Sequence, residues 1–292
     1  MERVGQLRVL VRGAGELGSA VAAHLAAQGM GRILLVEKPF PKAVRRNVCF
    51  SEAVFDHGKT VEGVTARSVM LLSEVDLVHQ LGDVAITTLP LAQALASWPP
   101  DVFVEATMLR ANWGLTTELA PLVVALGPGY QAGRDCHAVV ETVRGPLLGR
   151  VLLDGESLEP APPADIMGFS QERVLKAQRP GIFRTGHEIG DRVEQGEKVG
   201  LVVLLFARED LYKGVPVDSE YPVVARIGGV IRGLQRDGVP VEAGDRIGDI
   251  DPRGITEDLD HVSDKALRVA EGVLEAIVLN LDRLRVREQA QP

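Results

Sequence analysis

The sequence predicts an α/β fold class: a Rossmann-like parallel-sheet domain, then a smaller all-β domain of the barrel-sandwich (biotinyl/lipoyl-like) type, then a C-terminal helix. Two observations carry this prediction. Strand and helix patterns alternate over the first half of the 292 residues, and the second half contains a glycine-rich repeat with an offset of 48 residues. The predicted boundaries are 1–158 for the first domain, 165–255 for the second domain and 259–288 for the helix.

The first domain is predicted from short apolar runs that are separated by helical stretches. The candidate strands are residues 8–12, 32–37, 66–71, 84–88, 102–105 and 122–126. The candidate helices are residues 19–28, 73–81 and 91–96. Such alternation predicts a parallel sheet with helices on both faces.

A glycine-rich turn follows the first candidate strand. Residues 7–18 read LRVLVRGAGELG, in which an apolar run leads into three glycines with G-x-G-x-x-G spacing, Gly13, Gly15 and Gly18. The first glycine of such a motif allows a tight turn, the second lets a diphosphate approach, and the third lets helix and strand pack closely. Glu16 and Leu17 complete the predicted binding turn, since the N–H groups at the start of a helix face bound phosphates.

An acidic residue, Glu37, lies at the position that contacts the ribose in dinucleotide-binding folds. Glu37 ends the second candidate strand about 20 residues past the glycines, where a carboxylate binds a ribose 2′-hydroxyl. The cofactor that this spacing predicts is NAD(P). Glu37 would favour NAD over NADP, because a carboxylate repels a 2′-phosphate.

Two adjacent arginines follow the second strand. Arg45 and Arg46 lie in a loop at the predicted carboxyl edge of the sheet, where ligands of such folds bind. They can grip an oxyanion through bidentate hydrogen bonds. The alternative is a solvated basic turn without a ligand.

A second glycine turn leads to a Cys-His pair. Gly127 and Gly129 flank Pro128 directly after an apolar strand, and Cys136 and His137 follow closely. Cys136 is a candidate sulfur or selenium carrier, provided that nearby positive charge makes its thiolate available. The alternative is a buried cysteine beside a satisfied histidine. No metal is expected, because one Cys-His pair does not have the spacing of a metal site.

Composition restricts the class of protein. The hydrophobic fraction of 46% and the charged fraction of 25% are typical of soluble globular proteins. The net charge of −8 argues against a nucleic-acid partner. Cys49 and Cys136 lie far apart, which favours a reducing compartment. Since neither a signal peptide nor a membrane span is recognisable, we expect a cytoplasmic protein without a membrane partner.

The repeat predicts the second domain. Residues 181–202 and 229–250 align without gaps, and each copy consists of short strands joined by glycine turns. One copy cannot bury its apolar face alone, so the two copies should pack as a pseudo-dyad sandwich. Similar domains carry biotin or lipoate on a lysine between the halves. Lys213 is the only lysine there and lacks a flanking methionine, so neither group is expected.

The tail is predicted to be helical. Ser263 can cap the helix, and apolar residues recur at spacings of three and four, Leu267, Ala270, Leu274, Ile277, Val278 and Leu281. We expect this stripe to pack on the first domain. A homodimer contact is the alternative.

Several longer motifs resemble one family. They are GAGELGSAVAAHL, AVRRNVCFSEAVF, VEGVTA, LGPGYQAGRDCHAVVETVRG, GDIDPRG and SDKALRVAEGVLEA, spread over nearly the whole chain. Together they resemble the YqeB-type accessory proteins of selenium-dependent molybdenum hydroxylases. A more distant similarity is to the XdhC-type chaperones, which also carry a Rossmann-like domain.

The resemblance implies a process more than a reaction. It implies a maturation protein for a molybdenum hydroxylase, with a nucleotide or molybdopterin dinucleotide bound at the glycine turn. One alternative is an NAD-dependent oxidoreductase of a small substrate, although no Tyr-x-x-x-Lys pair supports it. The other alternative is a Rossmann-like binding module whose site is empty.

Overall fold

The structure, a computed structural model, describes residues 4–159, 165–204 and 220–285. The chain divides into two compact units. The first unit contains Met1–Pro39, Val48–Ala161 and His261–Pro292, and the second contains Phe40–Asn47 and Pro162–Asp260. Residues 40–47 therefore group with the second unit, although the predicted boundaries place them in the first domain.

Apolar strands build the first unit. Its strands are β1 (Arg8–Arg12), β2 (Arg32–Val36), β3 (Gly58–Val61), β4 (Val64–Ser68), β5 (Val84–Thr87), β6 (Val102–Glu105), β7 (Leu122–Leu126), β8 (Gln131–Ala132), β9 (Ala138–Val140), β10 (Val151–Leu152) and β11 (Gly155–Glu156). Nine of them form one sheet in the order β10-β9-β7-β6-β1-β2-β5-β4-β3, and β8 pairs with β11.

This large sheet is mixed, because an antiparallel strand lies at each edge. In this spatial order, all neighbouring strands from β9 to β4 pair in parallel. At the two edges, β10 pairs antiparallel with β9, and β3 pairs antiparallel with β4. A two-residue turn joins β3 to β4, with Glu62 at φ 48° and Gly63 at φ 78°. Positive φ at both central residues is typical of a tight hairpin, which forces antiparallel pairing.

Helices cover both faces of the sheet. In the described residues they are α1 (Glu16–Ala27), α2 (Ala53–Asp56), α3 (Val75–Gln80), α4 (Leu91–Ser97), α5 (Asp264–Leu279) and α6 (Leu281–Arg285). Strand side chains alternate between two buried clusters, so that Val9 and Val11 lie on one face and Leu10 on the other. Helices α1 and α5 pack on the first of these faces, and α3 and α4 on the second.

Two four-stranded antiparallel sheets build the second unit. Their strands are β12 (Val174–Lys176), β13 (Gly181–Arg184), β14 (Arg192–Val193), β15 (Lys198–Val203), β16 (Glu220–Val224), β17 (Gly229–Leu234), β18 (Pro240–Val241) and β19 (Arg246–Asp251). One sheet has the order β12-β19-β17-β14 and the other β16-β15-β13-β18.

The two copies of the repeat exchange their short strands. Strand β14 of the first copy pairs with β17 of the second, and β18 of the second copy pairs with β13 of the first. The registers match at the offset of 48 residues, since Gly181 pairs with Val241 as Gly229 pairs with Val193. The strand pairing between the two copies therefore has the symmetry that the repeat predicts.

The predicted fold class is nevertheless wrong. The first unit is built on a mixed nine-stranded sheet with antiparallel edges, not on a purely parallel Rossmann-like sheet. The second unit contains two separate antiparallel sheets, each with an added edge strand, and does not define a biotinyl/lipoyl-like barrel. Short edge strands of two or three residues carry too little periodicity to be recognised in sequence. Lys213, the position weighed for an attached group, lies outside the described residues.

The C-terminal helix α5 packs against α1 in the first unit. Its N-cap is Ser263, whose Oγ accepts a hydrogen bond from Ala266 N at 3.3 Å, as predicted. The buried face is Ala266, Val269, Ala270, Gly272, Val273, Ala276 and Ile277. The predicted stripe is therefore displaced, and Leu267 and Val278 are exposed. No helix within the described ranges combines the length and the apolarity that a membrane crossing requires.

Candidate functional site

The glycine turn lies between β1 and α1, at the carboxyl edge of the large sheet. Gly13 has φ 97°, and a Cβ atom placed on it would lie 3.1 Å from the backbone of Ala106 and Thr107. A Cβ on Gly18 would lie 1.9 Å from the carbonyl oxygen of Gly13. Both glycines are therefore required by packing, which is the role that the spacing predicts for Gly18.

Gly15 differs from the other two glycines of the turn. It is the N-cap of α1 with an extended backbone at φ −68° and ψ −174°, and no side chain caps the helix there. A Cβ on Gly15 would meet no atom within 4 Å. There is thus room for an added group beside Gly15, at the start of α1. The first N–H groups of a helix have no partner within the helix itself.

Glu37 lies on the glycine turn itself. Its Oε2 accepts a hydrogen bond from Ala14 N at 2.7 Å, and its Oε1 accepts one from Lys38 N at 2.7 Å. The carboxylate therefore holds the turn against the end of β2. The structure brings Glu37 and the glycines together, as the sequence predicts.

The other two residues of the motif face the protein. Glu16 Oε1 accepts a hydrogen bond from Ser263 N at 3.0 Å, which connects the start of α1 to the start of α5. Leu17 is half-buried and packs on the core beneath α1. Both predicted binding residues thus have structural roles.

A buried polar network lies beside the turn and was missed in the sequence. Glu105 is fully buried at the end of β6, and its Oε2 accepts a hydrogen bond from Arg12 Nη1 at 2.9 Å. Its Oε1 accepts hydrogen bonds from the backbone N–H and the hydroxyl of Thr107. Burial, with a smaller contribution from the charge of Glu105, raises the pKa of Tyr130 to about 12. The sequence signal for this network is a charged residue at the end of each of two apolar strands, Arg12 in β1 and Glu105 in β6.

Backbone strain occurs at the same edge. Met108, three residues beyond β6 in the loop after Thr107, has φ 57°, a value that residues other than glycine rarely adopt. A Cβ on Gly127 would lie 2.6 Å from Thr142 Oγ1 and 3.1 Å from Met108 Cε. One on Gly129 would lie 2.6 Å from the backbone of Arg110. The two predicted binding glycines therefore allow close packing of neighbouring loops.

Cys136 does not meet the condition set for a sulfur carrier. Its side chain is fully buried in the apolar cluster beneath one face of the sheet, and Sγ lies 3.8 Å from Gln131 O. Burial, followed by the negative charge of Asp135, raises the pKa of the Cys136 thiol to about 12. The condition that positive charge lowers this pKa is therefore not met, and the environment of Cys136 agrees with the alternative of a buried cysteine.

His137 is bound to a strand. Its ring atom Nδ1 accepts a hydrogen bond from Val123 N at 2.9 Å, and the backbone N–H of His137 donates to Val123 O at 2.8 Å. Burial lowers the pKa of His137. Among the described residues, no group of three or more His, Cys, Asp or Glu side chains is arranged to hold a metal ion.

The arginine pair lies in the second unit. Arg45 is buried, and its Nη2 donates to Asp258 O at 2.9 Å. Arg46 Nε donates to Leu234 O at 2.7 Å, and its Nη2 lies 3.1 Å from Glu188 Oε2. The two guanidinium groups are thus engaged by carbonyls and a carboxylate of their own unit. An oxyanion bound by Arg45 and Arg46, as the sequence suggested, would have to compete with these contacts.

The fold and the polar edge define a two-unit protein with a candidate ligand site on a mixed sheet. No family model matches the chain. The chain is 38% identical over 276 residues to the uncharacterized protein YqeB of Escherichia coli (strain K12), a match that covers 94% of this chain and 48% of YqeB. It therefore spans about half the length of this curated relative, and the similarity supports the resemblance to YqeB-type proteins.

Similar solved structures belong to other classes. A succinylglutamate desuccinylase/aspartoacylase from Rhodobacter sphaeroides is 22% identical over 27% of this chain and 21% of its own, with a TM-score of 0.22. The ectoine utilization protein EutE (DoeB) from Ruegeria pomeroyi is 11% identical over 83% and 56%, with a TM-score of 0.24. A succinylglutamate desuccinylase from a Silicibacter species is 14% identical over 84% of both chains, with a TM-score of 0.26.

The functional prediction is not supported by these comparisons. The structures reported above are named as desuccinylases, aspartoacylases or an ectoine utilization protein, and none is named as a molybdenum-hydroxylase accessory protein or a dehydrogenase. The accessory role, its selenium and molybdenum associations, the oxidoreductase alternative and the empty Rossmann-like module are therefore withdrawn. The similarity to XdhC-type chaperones has no support either. TM-scores of this size give no basis for assigning a desuccinylase activity to this chain. The cofactor and the cytoplasmic location stay predictions.

Proposed function

We propose that the first unit binds a small ligand that carries a ribose next to a phosphate, at the glycine turn between β1 and α1. The observation that carries the proposal is the open space at Gly15, directly beside the Glu37 carboxylate. NAD(P) and molybdopterin dinucleotide both contain this chemical unit. The proposal concerns binding and assigns no reaction to the ligand.

The phosphate would lie at the start of α1. The helix has twelve residues, and its N-cap residue Gly15 makes no side-chain capping bond. The dipole of a helix favours an anion at its N-terminus. Two nearby carboxylates do not oppose this. Glu105 is neutralised by Arg12 at 2.9 Å, and Glu16 is turned to the N-terminus of α5.

The ribose would lie on Glu37. An ionised carboxylate offers about four acceptor positions, of which the N–H groups of Ala14 and Lys38 take two. The two that are left suit the vicinal hydroxyls of a ribose. A 2′-phosphate in this place would be repelled by the carboxylate, so we expect NAD to bind more tightly than NADP.

Titration calorimetry with NAD and NADP tests the proposal. Gly15→Ala places a methyl group in the space that a phosphate would occupy, and we expect it to weaken NAD binding about tenfold or more. The matched control is Gly31→Ala, because a Cβ there also meets nothing within 4 Å. Equal effects of the two substitutions would contradict the assignment of the phosphate position.

Glu37 is tested separately. Glu37→Gln should reduce the preference for NAD over NADP, whereas Glu118→Gln, a change at an exposed acid of the same unit, should leave it intact. If neither dinucleotide binds the wild-type chain, the proposed ligand class is wrong.

A further inference from the structure

The two copies of the repeat in the second unit are not equally covered. Residues 233–235, at the end of β17, are buried. Their counterparts at the offset of 48 residues are residues 185–187, just beyond β13, and these are half-buried or exposed. The pairing of the short strands is symmetric, but β17 also pairs with β19 as far as Leu234, whereas β13 pairs with β15 only as far as Arg184. The second copy is therefore more extensively paired at this point than the first.

A segment of the same unit covers the second copy. Val44 O accepts a hydrogen bond from Leu234 N at 2.8 Å, and Arg46 Nε donates to Leu234 O at 2.7 Å. The side chain of Val44 fills the space above Gly233, where an added Cβ would lie only 2.7 Å from Val44 Cγ1. Residues 42–46 therefore continue the edge of β17 beyond the point where β14 ends.

An ion pair fixes one end of this segment. Lys42 Nζ lies 2.5 Å from Asp245 Oδ2. The counterpart of Asp245 in the first copy is Glu197, whose side chain is 38% exposed. Its Oε2 accepts a hydrogen bond from Glu194 N at 2.8 Å, and its Oε1 lies 3.8 Å from His187 Nε2. A carboxylate is thus presented at the same place on both copies.

The corresponding place on the first copy is an open groove of about 440 Å³. Its lining residues are Arg184, Thr185, Gly186, His187, Lys198, Val199, Gly200, Leu201 and Asp237. Gly186, the counterpart of Leu234, is exposed, and no hydrogen bond joins its backbone to another described residue. The edge that residues 42–46 extend on one copy is left unextended on the other.

We propose that this groove binds an extended peptide segment of a partner protein, in the way that residues 42–46 bind the second copy. Edge pairing of this kind uses main-chain hydrogen bonds for affinity and side-chain pockets for selectivity. The backbone of Gly186 supplies the main-chain contacts. Glu197, which precedes the lining residue Lys198 in the chain, supplies a partner for a basic residue of the peptide at the border of the groove.

The groove also determines which side chain the peptide presents. On the second copy Gly233 leaves space, and Val44 of the segment fills it. On the first copy the counterpart is Thr185, whose Oγ1 donates to Val199 O at 2.7 Å and is held in place. The partner segment must therefore have a small residue here, two positions after its basic residue.

Two labelled peptides test the proposal. One has the sequence of residues 40–47, FPKAVRRN, and the other is FPKAGRRN, in which glycine replaces the valine. Fluorescence anisotropy with the full chain should show that the glycine peptide binds about tenfold more tightly, because a valine opposite Thr185 overpacks the groove. In the Thr185→Gly variant the preference should reverse, since the groove then matches the second copy.

The ion pair gives an independent readout. Glu197→Gln should weaken binding of the glycine peptide, and it should have no effect on a peptide whose lysine is also changed to glutamine. Circular dichroism establishes that each variant is folded. Absence of saturable binding by both peptides, or a peptide preference that Thr185→Gly leaves unchanged, would overturn the proposal.

Discussion

The substitution Gly18→Ala gives a sharp test of how the glycine turn is packed. The added Cβ would lie 1.9 Å from Gly13 O, 3.0 Å from Gly13 C and 3.3 Å from Ala106 Cβ. Gly13 cannot move aside easily, because its N–H donates to Val36 O at 2.9 Å and its own Cα faces the backbone of Ala106. The strain must therefore be relieved by moving α1 away from β1.

The magnitude follows from two opposing effects. Overpacking of a dense core costs about 1–3 kcal/mol, and a contact with backbone at this distance lies at the upper end of that range. Alanine is favoured over glycine within a helix by about 1 kcal/mol, which offsets part of the cost. We therefore expect Gly18→Ala to lower the free energy of unfolding by about 2 kcal/mol or more. This is a large part of the roughly 5–15 kcal/mol that stabilises a typical domain.

Urea denaturation of the full chain measures this change, with Gly15→Ala as the matched control in the same turn. A Cβ on Gly15 meets no atom within 4 Å, but alanine is a poorer N-cap than glycine, so Gly15→Ala should lower the free energy of unfolding by no more than about 1 kcal/mol. Equal stabilities of Gly18→Ala and wild type, or equal losses in the two variants, would refute the packing argument.

Three further predictions concern buried groups. Cys49 and Cys136 are both buried free thiols, so a thiol-reactive dye should label neither in the native chain and both in urea. The pKa of His137 is lowered by burial, so the unfolded chain binds more protons near pH 6 and the free energy of unfolding should fall as the pH drops below about 6.5. His137→Asn, which keeps an acceptor for Val123 N, should flatten that pH dependence. Asp249→Ala should destabilise the second unit by about 3–5 kcal/mol, because it removes the carboxylate that pairs with the buried Arg173 at 3.2 Å.

The sequence reveals the elements that have strong local patterns. The apolar runs at β1, β2 and β5 to β7 lie where they were predicted, because a buried strand must be almost uniformly apolar. The packing role of Gly18 and the position of Glu37 on the turn also follow from spacing. The antiparallel edges of the large sheet could not be predicted in the same way, since the edge strands β3 and β10 contain only four and two residues.

The candidate site was only partly predictable, because burial decides what a side chain does. Cys136 and Arg45 were singled out for reactivity and charge, but burial raises the pKa of the thiol, and backbone carbonyls engage the guanidinium. Conversely, Glu105 and Tyr130 were not predicted as site residues from the sequence. They matter because the fold brings them to one edge from positions 25 residues apart in the sequence, a juxtaposition that no local pattern contains.

The repeat shows how a symmetric pair of sheets acquires unequal surfaces. The alignment of the two copies places Thr185 opposite Gly233 and Gly186 opposite Leu234, so that the small residue changes position between them. Val44 fits only where the glycine lies beneath it, which explains why residues 42–46 bind the second copy and not the first. The double substitution Thr185→Gly and Gly233→Thr should therefore favour docking of residues 42–46 on the first copy. In that case residues 185–187 would become protected from hydrogen exchange, and residues 233–235 would lose their protection.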